Sequence, residues 1–287
     1  MMTADSTHKA EGTISLKLAN FTSGLSKDSM PVATRDRARH LILDGVGIAL
    51  AATQFDFSHR TLAALREFGD GNVDVIGYGA RLSLRDAVMM NGFLIHGLDY
   101  DDTHTRGVIH ATASCFPTAL GMAVATGASG SELLTAYIAG MEAATRLASV
   151  AKGGFHQTGF HPTGLIGAFA CALIAGKLKG LTPKQLASAQ GITLSLASGS
   201  LEFLQDGAWT KRLHPGWAGA AGITAAALAR NGFFGPKAAY EGRFGLYASH
   251  LGTLADACDL NLATEGLGEA WEVTQGAVKP LPACPFT

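Results

Sequence analysis

The amino-acid sequence predicts an all-α protein, built as one large bundle of packed helices. Apolar residues recur every three or four positions over most of the chain, which is the spacing of an amphipathic helix. Several segments open with helix-start signals, whereas one segment alone alternates as a strand does. Charged residues make up 16% of the 287, below the roughly 25% of an ordinary soluble domain. We therefore expect much of the surface to be buried in a helical core or between subunits.

The first third of the chain contains two helical segments and one strand-like segment. Residues 35–52 carry apolar side chains at helical spacing, and residues 62–68 continue that pattern. Residues 73–78 alternate and are bounded by glycine, as in a strand. This strand is too isolated along the chain to build a sheet.

Later helices are indicated by their first residues and by their small side chains. Residues 83–86 and 182–185 follow the capping-box pattern, and Pro183 suits a first helical position. Ser131 and Glu132 are expected to open a helix that ends at Val150. Two further segments, 165–178 and 218–230, are rich in alanine and glycine. Small side chains let backbones approach closely, so we expect these two helices at the centre of the bundle.

Composition and hydropathy exclude several classes of partner. The formal net charge of −1 provides no basic field, so we predict no nucleic-acid partner. The longest uncharged apolar run, 162–176, is shorter than the roughly 20 residues of a membrane span, so we predict no membrane partner. The N-terminus lacks the apolar core of a signal peptide, and the four cysteines are widely spaced. These features predict a cytoplasmic protein with reduced thiols.

Three polar segments, 96–110, 155–164 and 206–216, hold the candidate functional residues. His96 and Asp99 lie three positions apart, so we expect them to share a face at the end of a helix. The second and third segments are expected to be loops that place titratable or cationic groups beside helix N-termini, where anions are favoured. Imidazole, carboxylate and ammonium groups that converge in this way suit proton abstraction beside a carboxylate.

Each polar segment also has a plainer explanation. The carboxylates near residue 100 could form a solvated turn, His161 could cap a helix, and Lys211 could be an exposed cation. A metal centre is also possible, because imidazoles and carboxylates bind divalent ions. Its candidate ligands would be His96, Asp99, Asp101, Asp102, His104 and His110. The sequence contains no zinc-protease, nucleotide-binding or serine-hydrolase motif.

Four motifs in these segments resemble those of the MmgE/PrpD family. They read NGFLIHGLDYDDTH at 91–104, GFHPTG at 159–164, KRLHPGWA at 211–218 and, more weakly, KPLPAC at 279–284. The resemblance runs in unchanged order from about residue 16 to residue 287. The family includes 2-methylcitrate dehydratase, cis-aconitate decarboxylase and iminodisuccinate epimerase.

The resemblance implies a large helical domain, a smaller α/β lid, and a homodimer with its active site between the domains. It implies chemistry without a metal ion or an organic cofactor. Family members are longer than this chain, so we expect the lid to be missing. The expected division is a polar lead at 1–11, the helical domain at 12–275, and the start of the crossover to the lid at 276–287.

The resemblance also carries site residues to this sequence by position. His161 or Asp99 would act as general acid or base, and Lys211 would hold a substrate carboxylate. His110 and Thr103 would orient or protonate a leaving group or a carboxylate. The implied catalytic set is Asp99, Thr103, His110, His161 and Lys211, and the predicted substrate-binding set is Asp102, His104, Arg212 and His214.

The function that this set favours is a metal-independent lyase for a di- or tricarboxylate, with proton transfer alpha to a carboxylate. We favour a hydro-lyase of the 2-methylcitrate dehydratase type that uses no cofactor and forms a homodimer. Decarboxylation and epimerisation share the first step or its equivalent, and both stay open. A metal-dependent hydrolase and a catalytically incomplete helical module that serves in dimerisation stay open as well.

Overall fold

Helices dominate residues 12–281, the part of the chain that the computed structural model describes. The strands in this part form two antiparallel pairs, β1 (Asp70–Asp74) with β2 (Arg81–Leu82), and β3 (Thr103–His104) with β4 (Gly276–Ala277). The all-α prediction is confirmed. The helices are α1 (Ile14–Gly24), α2 (Val32–Ala52), α3 (Asp56–Arg66), α4 (Leu84–His96), α5 (Thr112–Thr126), α6 (Gly130–Val150), α7 (Gly154–Gln157), α8 (Pro162–Leu178), α9 (Pro183–Thr193), α10 (Thr210–Arg230) and α11 (Leu246–Leu251).

The elements predicted from periodicity are present with shifted ends. The segment 35–52 lies within α2, and 62–68 overlaps α3. The strand-like segment 73–78 overlaps β1 only at its start, and it belongs to a two-stranded ribbon rather than to a larger sheet. The polar lead at 1–11 and residues 282–287 lie outside the described residues.

The predicted starts of α4 and α9 are confirmed by side-chain caps, whereas the predicted start of α6 is displaced. Thr182 and Gln185 form the predicted capping box, and Pro183 is the first residue of α9. Helix α6 is capped by Ser129, not by Ser131 as the sequence analysis assumed. The reason is spacing. The side chain of a capping serine accepts the backbone N–H of the residue three positions ahead, and Glu132 lies three positions after Ser129.

Helices α8 and α10 form the centre of the bundle, and glycine lets them cross closely. A Cβ atom on Gly222 of α10 would lie 2.5 Å from the backbone nitrogen of Ala172 in α8. A Cβ on Gly216 would lie 2.1 Å from the carbonyl oxygen of Met89 in α4. No side chain fits at either distance. The sequence prediction of central helices with small residues is therefore confirmed.

The start of α10 lies earlier than predicted. The segment 206–216 was expected to be a loop, yet α10 begins at Thr210, so the motif that starts at Lys211 lies on its first turns. Proline is disfavoured in a helix interior because it lacks a backbone N–H, yet Pro215 lies within α10. Its neighbour Gly216 packs on the backbone of Met89, and this contact with α4 holds the segment helical.

The C-terminal end of α4 also differs from the prediction. The helix ends at His96, and Asp99 lies beyond it with a left-handed φ of 55°. His96 and Asp99 therefore do not share a helical face. Instead, the backbone N–H of Asp99 donates to the carbonyl oxygen of His96 at 3.1 Å, so a turn brings the carboxylate back beside the ring.

Within the described residues, no single helix has both the length and the apolar character needed to cross a membrane. Helices α2 and α3 meet the length and composition criteria together, but they meet at a bend of 91°. Cys115 and Cys171 are buried free thiols, and Cys258 is free and half-buried. Cys284 lies outside the described residues.

The close crossing of α8 and α10 predicts opposite effects of two glycine-to-alanine substitutions. Gly222→Ala should lower the free energy of unfolding by about 1–3 kcal/mol, because the new methyl group overlaps the α8 backbone. Gly47→Ala is the matched control on exposed α2 surface, where a Cβ would meet nothing within 4 Å. It should gain about 0.5–1 kcal/mol. Urea unfolding measures both, and equal effects would contradict the crossing.

Candidate active site

Four histidine rings meet where α4 ends and where α8 and α10 begin. The His96 ring lies 5.3 Å from the ring of His110 and 5.5 Å from that of His161, measured between centroids. His161 lies 5.2 Å from His214. These four rings, named here the histidine cluster, come from the three segments that the sequence analysis singled out. His96, His110 and His161 are almost fully buried, whereas His214 is half-buried.

His161 and His214 form a direct hydrogen bond between their Nδ1 atoms, at 3.0 Å. One ring must donate and the other accept, so the two neutral rings have opposite tautomers. Burial lowers the pKa of His161 well below its usual range, and the positive charge of His96 acts in the same direction. Burial, His96 and Lys211 lower the pKa of His214 to about 4. The pair is therefore neutral at pH 7.

His110 is held in one tautomer by its neighbours. Its Nδ1 donates to the carbonyl oxygen of Asp102 at 2.9 Å and lies 3.1 Å from the hydroxyl of Thr103. Its backbone N–H donates to the hydroxyl of Thr163 at 3.1 Å. Because a carbonyl oxygen can only accept, Nδ1 carries the proton and Nε2 is left with its lone pair. Burial lowers the pKa of His110 to about 4, against an opposing effect of Asp101.

Two lysines hold Asp99 at the more exposed edge of the cluster. Lys211 Nζ lies 2.7 Å from one carboxylate oxygen, and Lys279 Nζ lies 3.4 Å from the other. Lys279 also donates to the backbone carbonyl of Asp99 at 3.0 Å. Burial alone would raise the pKa of Asp99, but the hydrogen bond and charge of Lys211 outweigh burial and hold that pKa far below its usual range. Asp99 is therefore a permanent anion.

Asp101 and Asp102 are adjacent and fully buried, and their pKa values move in opposite directions. Burial would raise the pKa of Asp101, but its hydrogen bond to His96 Nδ1 at 2.8 Å and the charge of that ring lower it. Burial and the neighbouring Asp101 charge raise the pKa of Asp102 to about 7. One Asp102 oxygen accepts the backbone N–H of Thr112 at 3.0 Å, at the start of α5. Asp102 is thus part of the support behind the cluster.

The structure brings most of the sequence-predicted residues together but sets two apart. Arg212 lies at the edge, where it donates to the carbonyl oxygen of Gly97 and covers the ring of Phe57 at 4.5 Å. His104 bonds Glu272 at 3.0 Å, and this pair ties the loop to the C-terminal segment. The residues in or against the cluster are Asp99, Asp102, Thr103, His110, His161, Lys211 and His214.

Four residues of the site were outside the predicted catalytic and substrate-binding sets. His96 was expected to share a helical face with Asp99 and, like Asp101, was a candidate metal ligand, whereas Lys279 was quoted only as part of a weak motif. Lys279 lies 180 residues from Asp99 along the chain, so no local sequence pattern indicated their contact. Phe203, from a 3₁₀ turn at Glu202–Leu204, adds an apolar wall 6.0 Å from the His161 ring and was also missed.

The charges at the site fit an anion better than a metal ion. His96, Asp99 and Asp101 each offer a ligand atom, and these atoms lie within 4.8 Å of one another. However, Asp99 is already bound by two ammonium groups, and the Nδ1 of His96 faces Asp101. A divalent cation would have to displace these partners against the charge of both lysines. Helices α8 and α10 also begin here without side-chain caps, and the positive end of each helix dipole favours negative charge.

The chain belongs to the MmgE/PrpD family, because residues 16–256 match the model of the MmgE/PrpD N-terminal domain. The cis-aconitate decarboxylase-like protein oryM of Aspergillus oryzae is 29% identical over 99% of this chain and 61% of its own length. Cis-aconitate decarboxylase of Aspergillus terreus is 30% identical over 82% of this chain and 49% of its own length. The human cis-aconitate decarboxylase is 29% identical over 78% of this chain and 47% of its own length.

The chain spans about half the length of the curated relatives that it matches, from 47% to 61% in these three. The resemblance identified from the sequence is confirmed at family level. The domain limits, the homodimer, the cytoplasmic location and the roles of individual site residues stay predictions.

Because the carboxyl of Asp102 is buried, we predict that Asp102→Asn increases the free energy of unfolding by an amount that depends on pH. Its pKa is raised to about 7 in the folded protein and is about 3.9 when unfolded. Folding therefore favours the protonated acid, and the wild type loses that stability as pH rises between these two values. The amide of the variant imitates the neutral acid, so the advantage of Asp102→Asn should grow by roughly 2–4 kcal/mol from pH 5 to pH 8.

Urea unfolding at both pH values measures this difference. Asp28→Asn, at an exposed position, is the control and should show no comparable gain. A constant difference between Asp102→Asn and the wild type across the range would show that Asp102 is ionised throughout.

Proposed function

We propose that this chain carries the carboxylate-binding and proton-transfer residues of a lyase for a di- or tricarboxylate, and that its reaction is decarboxylation of a cis-aconitate-like substrate. The observation that carries the proposal is the set of three neutral imidazoles in the histidine cluster, those of His110, His161 and His214, beside Lys211 and two uncapped helix N-termini. The names of the relatives favour decarboxylation among the reactions of the family.

Substrate carboxylates would bind at the edge formed by Lys211, His214 and the start of α10. The ammonium group of Lys211 has three donors, and one of them goes to Asp99. Asp99 holds the ammonium group in place and leaves the remaining donors for an anion. The side chain of Lys211 is 17% exposed, so the group is accessible but largely shielded from water, which strengthens its attraction for an anion.

The proton would be supplied by an imidazole that becomes charged when the substrate binds. His161 is neutral in the free protein, and a bound polyanion favours its protonated form. In the reaction, the bond to one carboxylate carbon breaks and CO2 leaves. The electron pair of that bond moves through the double bond toward a remaining carboxylate, where Lys211 stabilises the charge. The proton of the imidazolium then adds to carbon.

Dehydration of 2-methylcitrate, which the sequence analysis favoured, is the second candidate. The lowered pKa of His161 favours it, because a neutral imidazole is ready to take a proton alpha to a carboxylate. The leaving hydroxide would take up a proton and depart as water. Both reactions use the same residues and differ in the substrate that they need.

Turnover of the purified protein decides between the two candidates. Incubation with cis-aconitate should yield CO2 and an unsaturated five-carbon dicarboxylate, which proton NMR detects, whereas 2-methylcitrate should stay unchanged. Lys211→Ala should lower kcat/KM at least about 100-fold, roughly 3 kcal/mol of transition-state stabilisation. Lys184→Ala, at an exposed position on α9, is the matched control. Turnover of neither substrate, or equal rates for Lys211→Ala and the wild type, would contradict the proposal.

Binding of a polycarboxylate should be coupled to proton uptake. His110 and His214 have pKa values of about 4, so at pH 7 a bound trianion should draw about one proton into the cluster. Calorimetry with propane-1,2,3-tricarboxylate in two buffers of different ionisation enthalpy measures the uptake. The uptake should fade as the pH falls toward 4, where the rings are already charged. Equal apparent enthalpies in both buffers at pH 7 would show that no proton is taken up.

A further inference from the structure

We propose that His96 and Asp101 form a charged positioning pair for the lyase site, in which the ring of His96 neutralises the buried carboxylate of Asp101 and so lets His110 and His161 stay neutral until a substrate binds. The inference rests on the proposed function for its catalytic meaning. The charge arrangement itself can be tested without turnover.

The pair is buried and isolated from water. Neither side chain has measurable exposure, and His96 Nδ1 lies 2.8 Å from Asp101 Oδ2. The second oxygen of Asp101 and the Nε2 of His96 have no hydrogen-bond partner within residues 12–281. A buried carboxylate without a nearby cation is strongly destabilising. His96 is the side chain that bonds Asp101 directly, so we infer that its ring carries the compensating positive charge.

The pair lies in direct contact with the rings that would react. The His96 ring is tilted against His110 and stacked on His161, with an angle of 27° between the stacked planes. The unpaired charge of Asp101 would favour a protonated His110, whereas the charge of His96 opposes protonation of both rings. The titratable groups that interact with the pair are Asp44 of α2, Asp99 and Asp102 of the loop, His110, His161 and His214 of the cluster, and Lys279.

This arrangement makes His96 a positioning residue rather than a group that touches the substrate, because its ring is fully buried and its Nδ1 faces Asp101. Without His96, the carboxylate of Asp101 would raise the pKa of His110 toward neutral pH and so favour its protonation before any substrate arrives. With the pair intact, the substrate supplies the negative charge that brings the proton in.

A double-variant comparison tests the pair in the free protein. The titration of His110 and His161 is followed by NMR with ¹⁵N-labelled histidine, and the resonances are assigned by single replacement. In His96→Gln, the pKa of His110 should rise from about 4 by more than about one pH unit, since Asp101 is then unpaired. In the double variant His96→Gln with Asp101→Asn, both charges are gone, and the titration should return toward that of the wild type.

The control is Glu272→Gln, which also removes a carboxylate from a buried histidine, His104, outside the cluster. It should leave the titration of His110 and His161 unchanged. Unmoved titrations in His96→Gln, or a larger displacement in the double variant, would overturn the proposal. If His96→Gln fails to fold while the double variant folds, the unpaired carboxylate is the cause and the proposal is supported. Loss of folding in both variants would overturn it.

Turnover provides a separate readout. In His96→Gln, kcat should fall at least about tenfold while KM changes less than about threefold, and the acid limb of the pH–rate profile should move upward. Absence of turnover by the wild type would count against the proposed function alone, because the titration of the free protein still decides the role of the pair.

Discussion

The close crossing of α10 with α8 and α4 is the constraint on which the rest of the structure depends. Gly216 and Gly222 let the α10 backbone lie directly on its two neighbours. This contact fixes where α10 begins, and it sets the N-termini of α8 and α10 beside the C-terminal end of α4. Each of the three ends carries a histidine of the cluster, so backbone packing more than loop conformation determines the distances between the rings.

The site is built by separating charges into layers. Asp99 and Lys211 lie at the more exposed edge with the half-buried ring of His214, whereas the rings of His110 and His161, the Asp101–His96 pair and Lys279 are buried. Burial alone would neutralise every one of these groups. Direct cationic partners lower the pKa values of Asp99 and Asp101, whereas the partner of Asp102 is the neutral backbone N–H of Thr112 and its pKa rises. The pKa values of neighbouring aspartates therefore move in opposite directions despite equal chemistry.

The sequence predicted the helical class, the central pair of helices and the three segments that meet, because each leaves a local signal. Helical spacing and small residues reveal α8 and α10, and the Thr182 capping box reveals α9. The errors arose where a distant contact overrides a local preference. Packing of Gly216 on Met89 keeps Pro215 within α10. The turn after Gly97 removes Asp99 from the helix, and Lys279 reaches the site from far along the chain.

The C-terminal segment is joined to the site loop at successive points. Glu272 bonds His104, β4 pairs with β3, and Lys279 bonds Asp99. The loop and the segment therefore form one bonded unit, because neither can leave the bundle without breaking these bonds. A ligand that draws Lys279 away from Asp99 would loosen this unit from one end. Occupancy of the site would then weaken the contacts of the segment from Glu272 onward, at a distance from the bound molecule.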